Sequence, residues 1–165
     1  MRVAADRALH VVRAATEFDW TWTAEDLSSF AGLVGWSIAG GAGVGAPHLT
    51  TDFDIDRPDV MVSLGDPGPT GVAALEEMTF WVTDLDGERG ESAAAAAFVS
   101  LATRVADVVG AAPHFSWTEP TRGLRWDLPR VVVTLTANAE SVYIDLTSPD
   151  YQLWYDEIDR SLEND

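Results

Sequence analysis

Asp52, Asp54 and Asp56 in "DFDID" occupy every second position, a spacing that turns three carboxylates to one side of an extended strand. Convergent oxygens are what a hard cation requires. A calcium loop beginning at Asp52 needs glycine at its sixth place and glutamate at its twelfth, where this chain has Arg57 and Ser63. The trio therefore reads as a solvated or partner-facing acidic edge, with no metal. "DLDGERGE" adds Asp84, Asp86, Glu88 and Glu91 just before an alanine-rich segment. Acids ahead of a helix stabilise its N-terminus by about 0.3–1 kcal/mol, so Glu91 needs no chemical role.

Other patterns offer less chemistry. "GGAGVG" is followed by Pro47 and an expected strand, not by the helix whose N-terminus would bind phosphate. In "GWSIAG", Ala39 stands where a nucleophile elbow needs its second glycine, which leaves Ser37 an ordinary strand residue. His10, His48 and His114 are far apart and accompany no nucleophile motif, so they read as surface or hydrogen-bonded histidines. The absence of cysteine removes thiol catalysis and thiolate zinc sites. No catalytic residue and no cofactor is expected.

These residues are positioned by an alternation of helices and strands. Residues 3–15 have helical periodicity, and residues 1–17 are expected to form a peripheral N-terminal helix. Thr23 and Asp26 resemble a capping box for a second helix carrying Leu27, Phe30, Ala31 and Val34 on one face, with Gly35 as its stop. Phe18, Trp20 and Trp22 form an extended lead-in, one face under that helix and the other near solvent; Trp36 closes its far end. Strands are expected at "WSIAG", "HLTTDFDI", "DVMVSLG" and the latter half of residues 73–85. A long helix from Ser92 stops at Gly110, and strands follow at "GLRWDL", "RVVVTLTAN" and "SVYIDLTS", the last two a hairpin turning at Asn138. Ser148 and Pro149 open a final helix with Tyr151, Trp154, Tyr155, Ile158 and Leu162 on one face. Such a face ordinarily packs on its own sheet; its aromatic end could instead meet a partner.

The fold class is α+β: a single domain over residues 1–165, mainly antiparallel sheet with helices packed on it, in the rough order α-α-β-β-β-α-β-β-β-α. Short links between neighbouring strands favour antiparallel hairpins over parallel crossovers. The order of elements is similar to that of secretion chaperones, which often dimerise to hold a client.

Twenty-seven acids face ten cations, all arginine, for a net charge of −17. That field disfavours nucleic acid and anionic membranes and accelerates encounter with a basic protein. With no signal peptide and no apolar run expected to span a bilayer, the expected compartment is the cytoplasm.

"FDWTWTAEDLSSFAGLVGW", "RWDL" and "VYIDLTS" resemble an uncharacterised family of small acidic bacterial proteins similar to the immunity factor of a secreted NAD-glycohydrolase toxin, over residues 18–160. The resemblance implies an immunity-type protein that inhibits a cognate toxin by covering an electropositive active site. It carries over no contact residues. From the sequence itself, the expected partner-binding residues are Asp52, Asp54, Asp56, Asp84, Asp86 and Glu88, with Trp20 and Trp154 as aromatic anchors. The alternatives are a secretion chaperone and a small carboxylate-based or metal-dependent enzyme.

Overall fold

The computed structural model describes residues 1–40, 47–85 and 90–163, with side chains of the third segment from Ser92 onward. Two helices, α1 (Ala5–Glu17) and α2 (Asp26–Val34), precede four strands: β1 (Ser37–Ala39), β2 (His48–Thr50), β3 (Asp59–Pro67) and β4 (Ala73–Trp81). After α3 (Gly90–Val109) come β5 (Phe115–Trp117), β6 (Arg122–Asp127), β7 (Val132–Ala137), β8 (Val142–Thr147) and finally α4 (Pro149–Glu163). The expected α+β order holds: the four strand segments read before the long helix are present, and β5 is one more than the three read after it. The eight strands form one antiparallel sheet in the order β1-β2-β3-β4-β8-β7-β6-β5. Two meanders thus meet at β4 and β8.

Alternation along the strands sets the core. Val62, Met78, Leu146, Val133 and Trp126 are successive cross-strand partners. Phe80, Ile144, Leu135 and Leu124 form the next such row. This face joins one apolar cluster with Phe98, Leu101 and Val105 of α3 and with buried residues of α1 and α2. By length and composition Ser92–Val109 could cross a membrane, which corrects the expectation that no segment is apolar enough; in this fold its apolar face enters the core. The helix α1 is also a core layer and not peripheral: Ala8, Leu9, Val11, Val12 and Ala15 are buried, and Arg104 of α3 reaches Asp6 at 2.6 Å.

Local signals explain most boundaries. Gly35 and Gly110 end α2 and α3 at positive φ, where glycine avoids the Cβ clash. The β7–β8 turn is held by Asn138, whose side-chain oxygen accepts from the backbone N–H groups of Glu140 and Ser141, each at 2.8 Å. At α4, the Tyr151 N–H donates to Ser148 Oγ at 3.4 Å and Pro149 takes the first helical position.

The start of α2 differs from the capping-box expectation. Its N-cap position is Glu25, without a side-chain cap, while the buried Asp26 carboxylate reaches backwards. It accepts from the Thr21 N–H at 3.0 Å, the Thr21 hydroxyl at 2.8 Å and the Trp22 N–H at 2.7 Å. These bonds hold Trp22 at φ 53°, a conformation that costs an aromatic residue energy. The expected two-faced lead-in holds through this bend: Phe18, Trp20 and Trp22 are half-buried against the core, while Asp19 and Thr21 between them are exposed. Trp20 and Trp22, two residues apart on the same side, stack at 4.3 Å with an 11° interplanar angle.

Candidate partner-binding surface

The two acidic segments expected from sequence converge. Arg2 joins them, with Nη1 3.2 Å from Asp54 Oδ1 and Nε 3.0 Å from Asp84 Oδ2. The Asp56 N–H donates to Asp84 Oδ1 at 2.8 Å, and the Leu85 N–H donates to Asp56 Oδ1 at 3.1 Å. Burial opposes the charge on Asp84, but donation from Arg2 and from backbone N–H groups outweighs it and holds the carboxyl at about 2. Asp52 pairs with Arg7 at 2.7 Å. Part of this edge is therefore committed to joining loops, while the Asp54 side chain is 98% exposed.

Residues 51–58 are not the continuation of a strand that the alternation suggested, since β2 ends at Thr50. The alternation nonetheless survives as burial. Thr51, Phe53 and Ile55 point inward, and the three aspartates stay outside. Asp86 and Glu88 lie outside the described residues, as does the glycine-rich stretch 41–46.

Trp20 is a half-buried flank of the core, edge-on to Phe18 at 4.6 Å and with its indole N–H donating to the Ala15 carbonyl at 2.9 Å. Trp154 is 54% exposed and stacks on Tyr151 at 5.7 Å. The expectation that the apolar face of α4 packs on the sheet fails: no residue of this helix is buried. Trp154, Tyr155, Ile158 and Leu162 are all exposed. The reason is the polar side, which supplies the attachment. Asp156 receives both terminal nitrogens of Arg125 in β6, at 2.7 and 3.1 Å, and a bond from Gln152 at 3.0 Å. Burial works against both charges, but hydrogen bonds prevail: those from Arg125 and Gln152 lower the pKa of Asp156, and those to Asp127 and Asp156 raise that of Arg125.

The sheet face opposite the core was not singled out by sequence. Its side chains form three rows. The first runs Met61, Thr79, Asp145, Thr134, Arg125 and Phe115. The second runs Ser63, Glu77, Thr147, Val132 and Asp127, and the third Trp81, Tyr143, Thr136, Gly123 and Trp117. Glu77 and Asp145 sit diagonally on adjacent strands. Thr147 donates to Glu77 at 2.9 Å and Thr79 donates to Asp145. Burial, reinforced by the Glu77 charge and only partly offset by Thr79, pushes Asp145 up to about 7. Burial also raises Glu77, against the Thr147 bond. Beside them Trp81 lies 6.4 Å from Tyr143 and carries the Arg57 guanidinium at 4.1 Å on its ring.

The signal was present in "EEMTFW" and "VYIDLT", where polar and apolar residues alternate at period two. Which strands pair was not written there. The histidines remain separate: His48 Nε2 lies 3.1 Å from Asp59, and His114 Nδ1 accepts from the Asp127 N–H at 3.0 Å. Among the described residues, no group of three or more histidine, aspartate or glutamate side chains is arranged to hold a metal ion.

Residues 6–148 match a family described as a family of unknown function (DUF6301). The chain belongs to that family. No match was found among curated proteins or solved structures. The DUF6301 match takes in the whole sheet and both acidic segments and stops one residue before α4.

Proposed function

We propose that this DUF6301 member is an immunity-type protein of the cytoplasm that binds a cognate protein toxin and blocks it without chemistry of its own. The observation that supports it most is the joining of Asp54, Asp56 and Asp84, with Asp52 exposed on the same side, into one acidic edge on a chain of net charge −17. An active site that binds phosphate or a dinucleotide is commonly electropositive, so carboxylates suit it. The field would hasten capture, and exposed aromatics would slow release. The resemblance to a toxin immunity factor points the same way.

The test pairs the purified protein with the product of its neighbouring gene and measures toxin activity and association rate. The wild type should silence the enzyme at near-stoichiometric amounts. Replacing Asp52, Asp54 and Asp56 by asparagine keeps the acceptor oxygen that the Leu85 N–H uses. It should slow association several-fold and flatten its salt dependence. Unchanged kinetics would exclude this edge, and an uninhibited toxin would exclude the reading.

A second reading is favoured by the paired, desolvated Glu77 and Asp145. A carboxyl near neutrality is suited to general acid–base work, so a small carboxylate-based hydrolase is the competitor. Turnover abolished by Asp145→Asn, with toxin binding absent, would decide for it.

A further inference from the structure

α4 is amphipathic, yet it is attached by its polar side. The Asp156–Arg125 pair ties it to β6, while Trp154, Tyr155, Ile158 and Leu162 stand 54, 54, 40 and 69% exposed. An apolar stripe of two aromatic and two aliphatic residues left in water is unfavourable unless something else covers it. The identity of the cover follows from charge. α4 carries Asp150, Asp156, Glu157, Asp159 and Glu163 against a single Arg160. A second copy would bring the same acidic rim, on a chain of −17, against itself; an anionic lipid surface would meet the same repulsion.

We infer that α4 is the docking element for a protein partner that offers an apolar strip rimmed by lysine or arginine. The inference rests on the protein-binding reading above and names the partner's chemistry. Tyr151, whose hydroxyl pKa is raised by burial and by the nearby Glu76 and Glu77 charges, connects the stripe to the acidic part of the open sheet. The family match ends at residue 148, so the stripe lies wholly outside the matched region.

The probe is a synthetic amphipathic helical peptide with leucine on one face and lysine on the rest, compared with an isomer in which glutamate replaces lysine. Tryptophan fluorescence and sedimentation of the full chain report binding and self-association. The lysine peptide should bind and weaken as salt rises, while the glutamate peptide should not bind and the chain alone should remain monomeric. Trp154→Ala with Ile158→Ala should weaken the lysine peptide by about tenfold or more. Both residues are exposed, so unchanged circular dichroism is expected, and Leu162→Asp provides a second variant with the same prediction. Equal binding of the two peptides, no effect of either variant, dimerisation lost on Leu162→Asp, or binding to anionic vesicles would overturn the inference. Toxin inhibition separates the two readings: if the α4 variants still inhibit, this docking role fails alone, and if the lysine peptide binds but no toxin is silenced, the inhibitory function fails alone.

Discussion

Arg125 grips Asp156 with both terminal nitrogens, 2.7 Å between Nη2 and Oδ2 and 3.1 Å between Nη1 and Oδ1, and so fixes α4 by its polar side. Arg125 keeps a second partner in Asp127 at 2.7 Å. Asp156→Ala should thus cost only about 1 kcal/mol, because the pair is partly solvated. The local consequence is larger. Amide exchange along α4 should accelerate while β7 and β8 stay protected; equal acceleration of the sheet would contradict this attachment.

Asp145 gives stability a pH signature. Its pKa is about 7 in the folded protein against 3.8 for the ordinary carboxyl, so between those values the native state retains a proton that the unfolded chain has released. Stability therefore falls as pH rises through this window. Asp145→Asn, whose side-chain oxygen can still accept from Thr79, should stabilise the protein at pH ~8 by about 1–3 kcal/mol and have no effect near pH ~4. Thermal melts should show about 2–4 °C for each kcal/mol. A constant difference at both pH values would rule out the ionisation as its cause.

Asp26 organises the bend before α2. Asp26→Ala leaves the Thr21 and Trp22 N–H groups without their acceptor and frees the positive φ of Trp22. A loss of about 2–3 kcal/mol is expected in denaturant unfolding. The near-ultraviolet signal of the stacked indoles should weaken with it. Asp26→Asn, which retains an acceptor, should recover part of both; a full loss in this variant would point to charge instead.

Gly123 holds room for an indole. A Cβ there would overlap the Trp117 indole, so Gly123→Ala must displace the ring. Because β5 is an edge strand of the sheet, paired with β6, the expected result is a loosened sheet edge and a cost of about 1–3 kcal/mol. Wild-type amide protection at Ser116 and Trp117 in the variant would refute it.

Sequence reading of the site was partial for a physical reason. Alternation shows that Asp52, Asp54 and Asp56 share a side, but only the fold reveals that Arg2 bridges Asp54 to Asp84 and that the Asp56 N–H donates to the same Asp84 carboxylate. Likewise, Glu77 and Asp145 are 68 residues apart in number, and their meeting depends on β4 choosing β8 as its neighbour. Nothing local encodes that choice.

Other elements were determined within a few residues of themselves. Gly35, Gly110, the Asn138 turn and the Ser148–Pro149 cap follow from backbone sterics and nearby hydrogen bonds, and the apolar periods of α1, α2 and α3 follow from the need to bury one face. Composition alone set the charge. Tertiary structure decided which apolar face would remain uncovered. The period of Trp154, Tyr155, Ile158 and Leu162 is the same whether the stripe meets the sheet or the solvent, and a contact made elsewhere, Arg125 with Asp156, turned it outward.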